Sequence, residues 1–106
     1  MHRLIIVTLL TLITFNTYAI SPEKISYCKA YSELAEVIMT ARQDGVPMED
    51  LLMAINKAKV DTGSSYLVTS AYRYHRYSST LDVKLAIEEF SVDMMAQCVN
   101  IQSRYK

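Results

Sequence analysis

Few side chains in this sequence could do chemistry, and their spacing narrows what that chemistry is. Cys28 and Cys98 are the only cysteines, and His75 is the only histidine apart from His2. A dithiol redox centre places its cysteines close together, as in C-x-x-C, and a zinc site needs further Cys or His at ligand spacing. Neither pattern is present, so the two thiols read as one structural disulfide closing a loop of about 70 residues. A Ser or Cys nucleophile needs a base, and His75 is the only candidate outside the N-terminal stretch. The chain has no G-x-S-x-G elbow, no H-E-x-x-H and no glycine-rich phosphate loop. Glu33 with Glu36, and Glu88 with Glu89, could act as carboxylate pairs, but their placement is that of solvated helix faces. The expectation is a protein without catalytic residues, cofactor or metal. An enzyme using His75 is the remote alternative.

One segment has the composition of a binding surface. Between Asp61 and Asp82 there is no acidic residue, while Arg73, His75 and Arg76 stand among Tyr66, Tyr72, Tyr74 and Tyr77. Tyr and Arg are the residues enriched at protein–protein hot spots. If the segment is one helix, Tyr66, Arg73, Arg76 and Tyr77 project to one side, away from Leu67, Ala71 and Tyr74. The result is a cationic aromatic patch suited to an acidic protein or an anionic envelope polymer. The alternative is that the tyrosines cover the core rim and the arginines are merely solvated. Met39, Met48, Met53, Met94 and Met95 are a second adaptable set, read as core filler at helical spacing.

Residues 1–19 explain where such a surface would work. A basic start, Met1-His2-Arg3, precedes an apolar run from Leu4 to Phe15 and a polar stretch ending at Ala19. That order is a secretory signal peptide with cleavage after Ala19; the apolar run is short of the roughly 20 residues a membrane span requires. Retention as an N-terminal anchor is the alternative. Residues 20–106 then form one domain, with no stable membrane span after cleavage. The whole chain has 106 residues, 51% hydrophobic, with 11 basic and 11 acidic side chains. Arg3 is the only charge in 1–19, so the rest carries one more acid than base. A balance of this kind argues against a nucleic-acid binder and against a polybasic membrane-surface protein. Two glycines in the whole chain argue against an all-β fold with many tight turns.

Four amphipathic segments must position these residues. The first runs from Ser21 to Gln43, with Ser21 as cap, Pro22 at the first helical position and a stripe of Cys28, Tyr31, Leu34, Ala35, Ile38 and Met39. Gly45, free to turn left-handed, ends it. The second runs from Pro47 to about Lys59, burying Met48, Leu51, Leu52, Ile55 and Ala58. The third, Ser64 to Tyr77, is read as a short helix, with an extended piece around Tyr72–Tyr74 as the alternative. The fourth runs from Thr80 to Gln102, capped by Ser79, with Val83, Ile87, Phe90, Met94, Cys98 and Ile101 at steps of three and four. Leu85, Val92, Met95 and Val99 widen that stripe and make the last helix the central one. Cys28 lies near the start of the first helix and Cys98 near the end of the last. Their bond requires those two helices to run antiparallel, in a small all-α bundle of about four helices stapled by one disulfide.

The stretch CKAYSELAEVIMTARQDGVPM, from Cys28 to Met48, and IEEFSVDMMAQC, from Ile87 to Cys98, resemble a loose group of small secreted proteins of bacteria and their phages. In that group a helix opening with Cys and ending in Arg-Gln-x-Gly-Val-Pro is followed by a second Cys near the C-terminus. The group has no established activity, so the resemblance implies location and fold. The architecture and Cys count are also similar to those of periplasmic acid-stress chaperones, although no motif is shared. The reading from sequence is therefore a non-enzymatic periplasmic or secreted protein that binds or inhibits another envelope protein. A periplasmic stress chaperone is the alternative.

Overall fold

The computed structural model describes residues 20–59 and 63–105, and the expected signal peptide at 1–19 lies outside the described residues. The described chain is all helical: α1 Pro22–Gln43, α2 Met48–Lys57, α3 Ser64–Ala71 and α4 Thr80–Gln102. Among the described residues there is no strand, and no helix is long and apolar enough to cross a membrane.

Local signals set most of these boundaries. The Ser21 hydroxyl accepts from the Lys24 N–H at 3.4 Å, and the Ser79 hydroxyl accepts from the Asp82 N–H at 3.1 Å. Each thereby satisfies a donor that the first turn of a helix cannot pair itself. α1 stops at a Schellman turn: Gly45 N–H reaches the Arg42 carbonyl at 3.1 Å and Val46 N–H the Ala41 carbonyl at 3.0 Å. Gly45 has φ 87°, a conformation in which a side chain is strained. Pro47 then precedes α2 with an extended backbone.

α1 and α4 make the most extensive contact, and α3 packs on α1 with α2 laid on α3. The disulfide Cys28–Cys98 joins the start of α1 to the end of α4, with Cα atoms 5.5 Å apart. Lys24 strengthens the same end, donating its ammonium to the Gln102 and Tyr105 carbonyls. A cation there also complements the negative end of the α4 dipole. The helices therefore run antiparallel, as the cysteine positions require. The core joins Ala35, Ile38 and Met39 of α1, Leu67, Val68 and Ala71 of α3, and Phe90 and Met94 of α4. Tyr31, Leu34, Leu51, Leu52, Ile55, Tyr72, Tyr74 and Ile87 pack around it half-buried.

Three expectations need correction. α3 ends at Ala71 rather than Tyr77, because side chains from α1 take up the backbone groups that would have continued it. α2 buries no residue completely, and Met48 and Ala58 are exposed, since the helix lies over the core rim rather than within it. On α4, Leu85 and Val92 do not widen the buried stripe: they are 44% and 61% exposed, because the described helices cover α4 on its other side. The methionines divide accordingly, with Met39 and Met94 in the core and Met53 70% exposed.

Candidate functional site

Residues 72–79 cross from α3 to α4 as an irregular loop. Such a loop has few backbone partners of its own, and here α1 supplies them. Gln43, the last residue of α1, is 5% exposed. Its side-chain Nε2 donates to the His75 carbonyl at 2.7 Å, and its Oε1 accepts from the Tyr77 N–H at 2.8 Å. One amide thus pairs with the loop backbone much as a neighbouring strand would. Arg42 adds a fork: Nε and Nη2 donate to the Tyr74 carbonyl at 3.1 and 3.0 Å. The same guanidinium sits 5.0 Å from the Tyr72 ring centroid, within cation–π range. The Tyr72 hydroxyl donates to the Val46 carbonyl at 2.5 Å. Arg76 donates to the Gln43 carbonyl at 3.3 Å, placing a cation at the negative end of α1. Its guanidinium lies so close over Gly45 that a Cβ there would stand 2.8 Å from Cζ.

The rings underneath complete the mounting. Tyr74 meets Phe90 edge-on, with centroids 5.5 Å apart. Burial raises the Tyr74 phenol above its ordinary value, and the nearby Asp93, Glu89 and Tyr77 push the same way. Burial also raises Tyr72; Asp50 adds to that, and Arg42 opposes it. Both phenols are therefore held neutral well into the alkaline range, which keeps the Tyr72 hydroxyl available as a donor.

On this mounting Arg73, His75, Arg76 and Tyr77 stand exposed. The His75 and Tyr77 rings meet edge-on at 6.4 Å. The structure thus keeps three of the four residues expected to share a surface, Arg73, Arg76 and Tyr77, on one short loop. The one-sided helical display is not formed. Arg76 faces the end of α1, so only part of its charge is offered outward.

Tyr66 belongs elsewhere. It lies on α3, where its hydroxyl donates to Gln97 Oε1 of α4 at 2.9 Å. With Tyr27, Tyr31, Ile101 and Gln102 it lines a groove of about 380 Å³ beside Cys98 of the disulfide. The Tyr31 ring lies against the backbone at Gly63, where a Cβ would come within 2.9 Å of it. Burial raises the Tyr31 phenol, and Tyr66 and Tyr27 add to the effect. The groove's described lining is aromatic, aliphatic and amide, without a charged side chain.

Arg42, Gln43, Tyr27 and Tyr31 were not singled out by sequence as site residues. One signal for Gln43 existed: it follows Met39 by four positions, so a polar amide ends the buried stripe of α1. Glu33, Glu36, Glu88 and Glu89 are all exposed, and among the described residues no His, Cys, Asp and Glu cluster has metal-ligand geometry. No family model matches the chain, and comparison with curated proteins and with solved structures finds no match.

Proposed function

We propose that this is a periplasmic or secreted, non-enzymatic protein that binds another envelope protein through the loop at 72–79. One observation carries the reading. An irregular, acid-free loop bearing Arg73, His75 and Tyr77 is fastened by four side chains, Arg42, Gln43, Tyr72 and Arg76, in hydrogen bonds that reach across 26 to 34 residues of sequence. A loop already held in one shape loses little conformational entropy on binding, and rigid aromatic and Arg side chains are the usual anchors. Its charge calls for an acidic surface on the partner. The disulfide fits an oxidising compartment. The apolar leader read from the sequence supplies the route there.

The test uses the full chain expressed with its leader, recovered after export and used as bait in envelope extract. Arg73→Glu and Tyr77→Ala are the informative variants, because neither side chain fastens the loop. A partner captured by the wild type and lost with both variants supports the reading. A partner retained by both, or none captured by the wild type, contradicts it.

A further inference from the structure

The outer side of α4 carries a second apolar seam, turned away from the described core. Leu81, Leu85, Glu88, Val92, Met95 and Val99 follow one another at steps of four, three, four, three and four. That is the 3.5-residue period of a helix meant to lie along another helix. The core positions of α4, Ala86, Phe90, Met94 and Cys98, occupy the opposite side and are buried. The N-terminal half of the seam is open: Leu81 is 66%, Leu85 44% and Val92 61% exposed, whereas Met95 and Val99 are half-buried. Leu85, Glu88, Glu89, Val92 and Asp93 share this exposed stretch of α4. Charge along α4 is one-sided. Asp82, Glu88, Glu89 and Asp93 face a single base, Lys84.

From this we infer that the outer seam of α4 docks a basic amphipathic helix of a partner protein. The apolar face of that helix would lie on Leu85 and Val92, and its Lys or Arg would meet Glu88 within the seam and Glu89 and Asp93 beside it. Side-by-side helix pairing uses this layout, with apolar anchors for affinity and nearby charges for partner choice. A second copy of α4 is a poor occupant, because it would bring a second set of carboxylates against the first. Glu89 and Asp93 also lie near Tyr74 of the loop at 72–79, but the inference does not depend on that loop binding anything.

The probe is a labelled three-heptad peptide with Leu at the two seam positions and Lys or Arg beside them. Two controls accompany it: the same peptide with Glu in place of the bases, and a scrambled basic peptide of identical composition. Fluorescence anisotropy against the secreted protein, at low and high salt, reads the affinity. The basic heptad peptide should bind at least tenfold more tightly than either control. Leu85→Asn with Val92→Asn should remove that preference, with the helical circular dichroism unchanged because both side chains are exposed. Glu88→Lys with Glu89→Lys should transfer the preference to the Glu peptide. Arg73→Glu should leave the preference for the heptad over the scrambled peptide unaltered. Equal binding of the scrambled and heptad peptides overturns the proposal, as does absence of binding. So does a wild-type protein that sediments as a dimer and becomes monomeric in the Leu85→Asn, Val92→Asn variant, which would give the seam to a second copy.

Discussion

Replacing Gln43 by Ala should release the loop without unfolding the bundle. The Gln43 side chain makes two strong contacts, at 2.7 Å to the His75 carbonyl and 2.8 Å to the Tyr77 N–H. Each bond is partly buried, and its loss leaves a backbone group short of a partner at about 1 to 1.5 kcal/mol. Together the loss is about 2 to 3 kcal/mol, or roughly a 30- to 150-fold shift in the loop's opening equilibrium. The helices are joined by other contacts, so the effect concentrates in local opening rather than global stability. Amide hydrogen exchange separates the two. Tyr77 N–H should lose its protection outright. Tyr74 N–H, bonded to the Ala71 carbonyl at 3.0 Å, reports on the rest of the loop and should exchange faster by that factor. Core amides of α4, such as that of Phe90, should change much less. Gln43→Glu is the companion variant: it keeps an acceptor for Tyr77 but repels the His75 carbonyl, so it should protect Tyr77 while still loosening the loop. Unchanged exchange at both Tyr74 and Tyr77 in Gln43→Ala would refute the claim that this amide fastens the segment.

Three further outcomes follow from the same geometry. Gly45→Ala should cost about 1 to 2 kcal/mol in urea unfolding, because its φ of 87° strains any side chain and the new methyl displaces Arg76. Gly45→Ala as stable as the wild type would contradict that close approach. Reducing Cys28–Cys98 should lower stability by about 4 kcal/mol on the chain-entropy account for a loop of this length, which thermal unfolding with and without reductant measures. At alkaline pH, Tyr31, Tyr72 and Tyr74 should ionise above the ordinary value of a free tyrosine. Their folded values lie above the unfolded one, so their contribution is complete below about pH 10 and fades as pH rises through the folded values. Ultraviolet titration of the phenols, alongside unfolding at each pH, should show both effects; titration of these three phenols at the free value would exclude them.

What the sequence made legible is what depends on nearby residues. Ser21 and Ser79 cap their helices through bonds three residues away, and Gly45 turns α1 off where its missing side chain allows. The cysteine pairing also needed no distant information, since only one pairing exists and it fixes α1 against α4. The loop was not legible, because Tyr72–Tyr77 takes its shape from Arg42 and Gln43, more than thirty residues away. Tyr and His have middling helix propensity and Arg a high one, so local preference alone does not break the helix and α1 decides the outcome there. Leu85 and Val92 looked like core for a related reason. Periodicity shows that α4 has two apolar sides, but not which side the other helices cover. The groove of Tyr27, Tyr31 and Tyr66 was hidden because it forms only where the ends of α1 and α4 meet the start of α3.

The central claim is that the exposed side chains of the loop at 72–79 contact an acidic partner. The most direct measurement is the affinity of the captured partner for the wild type and for Arg73→Glu, each at low and high salt. Reversing the charge of an interface residue sets like charges against each other, so the account predicts at least a tenfold weaker complex and a flatter salt dependence. Equal affinity and equal salt dependence for the two proteins would contradict it.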